Sequence, residues 1–149
     1  MIAPARPPTF FKSASDANLA VVATYNAQLR LGTFQRWQGF SYDMRSDIGT
    51  SSSPSPELQA FVKHKFPSVY DFDVNRDSWN DTYSLIAAAN QVTANVPGID
   101  MDPAQRDLIV AQAKFLRGVG YFHLMTLFGG NIPLVTQPQS ATDLLALAL

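Results

Sequence analysis

The stretch PAQRDLIVAQAKFLRGVGYFHLMTLFGG, residues 103–130, decides the fold. Pro103 follows Asp102, a pairing that starts helices because proline lacks the amide a first turn cannot use and Asp caps the free ones. Gly129-Gly130 then supplies the stop. Between them run two apolar stripes at helical spacing. One is Leu108, Ala111, Phe115, Val119, Phe122 and Met125; the other is Ile109, Ala113, Leu116, Gly120, Leu124 and Phe128. Two adjacent stripes predict a long helix buried against more than one neighbour, at the centre of a helical stack, with Asp107, Lys114, Arg117 and Tyr121 on its wetter face. Gly118 and Gly120 each cost about 1 kcal/mol against Ala inside such a helix, and close approach of a second helix backbone would offset it.

Upstream, Arg76 or Asp77 to about Asn95 reads as the partner in a helical hairpin. Trp79, Tyr83, Ile86, Asn90 and Ala94 lie on one face, with Leu85, Ala89, Val92 and Val96 beside them, and Pro97-Gly98 forms the turn. Ser13 and Asp16 have capping-box spacing. The helix they open carries Leu19, Val22, Ala23, Asn26, Ala27 and Leu31 on its stripe, and Gly32 is the expected left-handed cap. From Thr33 to Pro56 periodicity disappears, which predicts a long loop. A short helix runs from Pro56 to about Lys65, stopped by Pro67. Ser140 and Asp143 start another, whose Leu144, Leu145, Leu147 and Leu149 read as the beginning of a truncated helix. No segment alternates long enough for a sheet. The fold class expected is all-α: tetratricopeptide-like helical hairpins with long loops, one domain over residues 1–149 that is part of a larger helical domain.

Composition narrows function. Eleven Lys and Arg against twelve Asp and Glu give a net charge of -1, scattered rather than striped, which disfavours nucleic-acid binding. No cysteine is present, so thiolate zinc sites and cysteine nucleophiles are excluded within these residues. His64 and His123 are the two histidines, and Glu57 is the one glutamate, a poor stock for catalysis. No P-loop, nucleophile elbow or dinucleotide fingerprint occurs. Asp71, Asp73, Asn75 and Asp77 alternate like a calcium loop, but Arg76 and Thr82 stand where Gly and Glu are required, so no metal and no cofactor is expected. Residues 1–8 lack the pattern of a signal peptide.

Ala113-Lys114-Phe115-Leu116-Arg117-Gly118-Val119-Gly120-Tyr121-Phe122-His123-Leu124, then Phe128-Gly129-Gly130-Asn131-Ile132-Pro133-Leu134-Val135, resembles a SusD/RagB signature, in which an EAKFLRA..YF.L helix runs into FG and VPLV. Trp79, Tyr83, Ile86, Ala89 and Asn90 match the family's W...Y..I..AN. Phe10-Phe11 before a capped helix and the pair Ser46-Asp47 are similar to its opening, so the resemblance covers most of residues 7–138. Gln112 replaces the usual Glu, and Gly118 and Gly120 replace Ala-type residues. The resemblance implies an all-α, tetratricopeptide-like scaffold anchored by lipid at the bacterial outer-membrane surface, although the chain shows no lipid-accepting cysteine. It implies an oligosaccharide or other nutrient ligand and a SusC-like TonB-dependent transporter as partner.

Sugar recognition needs aromatic faces and planar polar groups on loops. The segment after the first helix supplies Phe34, Arg36, Trp37, Phe40, Tyr42, Arg45 and Asp47. Trp37, Tyr42, Arg45 and Asp47 are the candidate ligand contacts. Trp79, Tyr83, Asn90, Phe115, Tyr121 and Phe122 read as packing residues, with Asn90 bonded to a nearby backbone group. The competing reading is a tetratricopeptide-like protein-interaction module that binds no sugar.

Overall fold

The computed structural model describes residues 10–65 and 73–139. Among them are five α-helices: α1 (Ala14–Ala27), α2 (Trp37–Met44), α3 (Pro56–Val62), α4 (Asp73–Asn95) and α5 (Pro103–Phe128). No strand occurs among the described residues, so the all-α class holds. The predicted helix from Ser140 lies outside them, as does Pro67. No helix of the described residues is long and apolar enough to cross a membrane. The chain forms two compact units, Met1–Ala27 with Thr82–Leu149, and Gln28–Asp81.

In the first unit the expected caps form. The Ser13 amide donates to Asp16 Oδ2 at 3.0 Å and the Asp16 amide to Ser13 Oγ at 3.3 Å, a reciprocal box that also holds the Asp16 carboxyl below its usual range. Asp102 accepts from the Gln105 amide at 2.9 Å, and Gly129 closes α5 with φ of 87°.

Which faces are buried differs from expectation. On α1 the buried residues are Ala17, Ala20, Val21, Thr24 and Ala27, while Leu19 and Val22 face solvent. Small side chains let α1 lie close to α5: Ala17, Ala20 and Val21 join Ala89, Val92, Val96, Ile99, Ile109 and Ala113 in one core, and Ala27 packs with Leu85 and Leu116. The two possible stripes on α1 are both apolar, so periodicity alone could not choose between them. On α5 the stripe through Ile109, Ala113, Leu116, Gly120 and Leu124 is buried. Leu108, Phe115, Phe122 and Met125 are exposed, which corrects the expectation that both stripes are covered and that Phe115 and Phe122 are core. A side chain on Gly120 would meet Ile86 at 3.0 Å, so its compensation is contact with α4 side chains rather than with a backbone.

The second unit replaces much of the expected loop with structure. A wide turn over Leu31–Gln35, kinked at Thr33, leads into α2, whose Trp37 and Met44 pack with Phe61 of α3 and Val74 of α4. Its apolar spacing is too short to register as a period. Gly32 is not a left-handed cap; a Cβ there would lie 2.0 Å from the Asp77 carbonyl oxygen, so glycine is needed for close backbone approach. Helix α3 stops without proline. His64, at φ of 49°, takes the left-handed position, and the Lys65 amide donates back to the Ala60 carbonyl at 3.1 Å.

Candidate functional site

Two constellations stand out, one in each unit. In the first, the segment after α5 is tied down by side chains that the sequence signature contains. Asn90, fully buried on α4, donates from Nδ2 to the Val135 carbonyl at 2.9 Å and to the Gln137 carbonyl at 3.3 Å. Its Oδ1 accepts from Arg117 Nη1 at 2.8 Å, and the same guanidinium nitrogen reaches the Thr136 carbonyl at 3.1 Å. Tyr121 Oη accepts from the Val135 amide at 2.6 Å and donates to the Val135 carbonyl at 2.9 Å. Tyr83 Oη donates to the Pro133 carbonyl at 2.8 Å.

The result is a clamp in which an irregular segment, lacking partners of its own, has its peptide groups satisfied by two helices. The expectation for Asn90 is met. Arg117 and Tyr121, assigned to a wetter face, instead serve this clamp. Burial, with a smaller contribution from Tyr121, pushes the Tyr83 phenol up to about 12. Burial also raises Tyr121, opposed by the Val135 hydrogen bond and by Arg117.

The second constellation contains the four sequence-predicted contacts. Trp37 opens α2 and is 8% exposed; its Nε1 donates to Asp77 Oδ2 at 3.3 Å, and Phe40 meets the ring edge-on with centroids 6.2 Å apart. The exposed Arg36 guanidinium lies 4.0 Å from the Trp37 ring centroid. This cation–π contact is worth about 0.5–1 kcal/mol at an exposed site. Tyr42 is half-buried on the same helix, while Arg45 and Asp47 are exposed just past its end.

The Arg45–Asp47 turn is rigidly specified. The amides of Arg45 and Ser46 donate to the carbonyls of Tyr42 and Asp43, Ser46 Oγ also reaches the Asp43 carbonyl at 2.8 Å, and a Cβ on Gly49 would lie 2.1 Å from that oxygen. Arg45 and Asp47 thus share one turn, whereas Trp37 lies at the other end of α2, about 12 Å away at 1.5 Å per residue. The four residues do not converge on one point: Trp37 belongs to the core cluster of this unit, and Arg45 and Asp47 share the turn after α2.

Sequence reasoning missed several participants. Asp77 was read with the calcium-like series, yet α4 begins at Asp73, so Asp73, Asn75 and Asp77 lie in a helix rather than a loop, and Asp71 is outside the described residues. Among the described residues no group of three or more acidic or histidine side chains is arranged to hold a metal ion. Asp73 pairs with Arg76, and its amide donates to Glu57 Oε1 at 3.3 Å. Asp81 accepts from the Gly32 amide at 2.9 Å and pairs with Arg30 at 3.5 Å. Gln38, 2% exposed, has neither side-chain polar atom hydrogen-bonded. Nothing in the spacing signalled that a polar residue there would be buried.

Similarity to known proteins follows the signature. A SusD-like family model, described as starch-binding and associating with the outer membrane, matches residues 13–145. SusD-like protein P25 of Formosa agariphila is 31% identical over 147 residues, covering 89% of this chain and 26% of that protein. SusD-like protein P2 of the same organism is 26% identical over 129 residues, covering 87% of this chain and 25% of its own length. A solved laminarin-binding SusD-like protein superposes with a TM-score of 0.69 at 28% identity, over 89% of this chain and 29% of that one. The chain spans about a quarter of the length of the curated relatives it matches. With a family match over most of its residues and the signature side chains engaged in the clamp, the chain belongs to the SusD-like family.

Proposed function

We propose that this chain is part of a glycan-binding protein of the bacterial outer-membrane surface, which captures oligosaccharide and presents it to a SusC-like TonB-dependent transporter. The family match over residues 13–145 carries this reading. The solved relative's description as laminarin-binding makes β-glucan oligosaccharides and starch fragments the first ligands to try. The role is binding, without a catalytic step.

Within the second unit, α2 and the turn after it supply the chemistry. Arg45 and Asp47 offer planar charged groups to sugar hydroxyls from a turn that Gly49 fixes, so little ordering entropy is lost on binding. Tyr42 adds an aromatic ring with a polar tip. Trp37, held by Asp77, anchors the start of α2 and carries the exposed Arg36 guanidinium on its ring.

Calorimetric titration of the full-length protein with laminarin and starch oligosaccharides tests the proposal. Binding that weakens at least tenfold in Arg45→Ala and Asp47→Ala, with unchanged thermal stability, is expected. Absence of binding across a broad glycan array would overturn the glycan reading and favour a protein-interaction module. Binding that is indifferent to both substitutions would move the contact surface away from α2. Co-purification with a SusC-like transporter tests the partner.

A further inference from the structure

Between the Arg45–Asp47 turn and α3 the chain reads Thr50-Ser51-Ser52-Ser53-Pro54-Ser55, with no regular secondary structure. A run of small hydroxyl residues is ordinarily a slack connection. Here it is fastened. Gln59, in the first turn of α3, donates from Nε2 to the carbonyls of Ser51 and Ser53, each at 2.9 Å. The two acceptors use both protons of the amide and so fix which way it points. Within the segment the Ser53 amide donates to Ser51 Oγ at 3.2 Å, and the Ser55 amide to Ser53 Oγ at 3.3 Å. At the upstream end Gly49 lies too close to the Asp43 carbonyl for any side chain, which ties the segment to the Arg45–Asp47 turn.

Burial alternates along the segment as it does along extended backbone. Ser51, Ser53 and Ser55 are half-buried, while Thr50, Ser52 and Pro54 are exposed. The hydroxyls of Ser51 and Ser53 are taken up by backbone amides. Those of Thr50 and Ser52 have no hydrogen-bond partner among the described residues. Two groups that each donate and accept are thus displayed from a fixed backbone, just beyond the exposed Arg45 and Asp47.

We propose that Thr50 and Ser52 are ligand contacts that continue the Arg45–Asp47 surface, and that Gln59 is the positioning residue that holds them there. The inference rests on the glycan reading of that turn. A sugar hydroxyl is itself a donor and an acceptor, so a serine or threonine hydroxyl complements it without a charge. On a slack serine run, ordering the chain would consume most of what such a hydrogen bond contributes; the Gln59 amide orders it in advance.

Calorimetric titration of the full-length protein with laminarin oligosaccharides tests the contacts, with Arg45→Ala as the control for the turn. Thr50→Val and Ser52→Ala each remove one exposed hydroxyl at little change in volume. Each should weaken binding about fivefold, the worth of one neutral hydrogen bond, with the melting temperature unchanged. Gln59→Glu tests the positioning. Its carboxylate has no proton to donate and faces two carbonyl oxygens, so at neutral pH hydrogen-exchange protection of the Ser53 and Ser55 amides falls and affinity falls with it. Near about pH 4 the protonated carboxyl regains one donor, and affinity relative to wild type at the same pH recovers. A misfolded variant would not recover on acidification. Wild-type affinity in both Thr50→Val and Ser52→Ala, with Arg45→Ala weakened, would overturn the inference and leave the glycan reading of the turn standing. Indifference to Arg45→Ala as well would remove both. Full amide protection in Gln59→Glu, or a loss of affinity that acid does not reverse, would overturn the role of Gln59.

Discussion

Replacing Asn90 removes the centre of the clamp that holds residues 133–137. Three hydrogen bonds are lost in Asn90→Ala: to Val135, to Gln137 and from Arg117. Gln137 is exposed and water replaces its bond, so it contributes little. The Val135 carbonyl keeps Tyr121, and Arg117 keeps Thr136, so each of those losses is about 1 kcal/mol rather than the full cost of an orphaned buried group. Truncation at a fully buried site leaves a cavity worth about 1 kcal/mol more. The sum is about 3 kcal/mol, or a melting-temperature drop of about 10 °C for a domain of this size.

Asn90→Leu separates the parts, since it fills the space but forms no hydrogen bond; it should cost about 2 kcal/mol. Urea unfolding measures both. Hydrogen exchange at the Val135 amide, held by Tyr121, reports whether the segment itself loosens. If Asn90→Leu lies within about 0.5 kcal/mol of the wild type, or if Val135 exchange is unchanged in Asn90→Ala, the clamp is not what holds the segment.

Gly32→Ala places a Cβ against the Asp77 carbonyl and should destabilise by about 1–3 kcal/mol, seen as a lower urea midpoint. His64→Gly relieves a left-handed non-glycine residue and should stabilise by about 1 kcal/mol in the same assay. Gln38→Met removes two unsatisfied buried polar atoms at similar volume and should raise stability by about 1 kcal/mol; a loss would mean that the amide has a partner in solution. Burial lowers the His123 pKa, so the unfolded chain takes up the proton first. Stability contributed by neutral His123 is therefore full above about pH 6.5 and is lost as pH falls toward the depressed folded value, and His123→Gln should flatten the urea midpoint across that window.

Much of the fold was legible because long helices announce themselves. Asp102-Pro103 and Gly129 bound α5 chemically, and the spacing of Tyr83, Ile86 and Asn90 marked the inner face of α4. Helix α2 was not legible, since eight residues rich in Gln, Gly, Ser and Asp carry little helical signal and are held by packing of Trp37 and Met44. Nor could periodicity tell a buried stripe from an exposed apolar one on α1 and α5. The residue types of the candidate contacts were visible, but the contacts between Trp37 and Asp77, forty positions apart, and between Asn90 and Val135 depend on tertiary pairing that no local pattern encodes.

The clamp separates the residues of the family signature from the side chains of α2. Tyr83, Asn90, Arg117 and Tyr121 all belong to the unit that excludes Gln28–Asp81, whereas Trp37, Tyr42, Arg45 and Asp47 belong to that excluded segment. The side chains by which the scaffold is recognised therefore bond to backbone atoms of their own unit, which persist whatever side chains α2 displays. Substitutions along α2 and its following turn can therefore change the side chains that segment displays while the signature stays intact, so shared ancestry read from the signature does not fix the chemistry α2 presents.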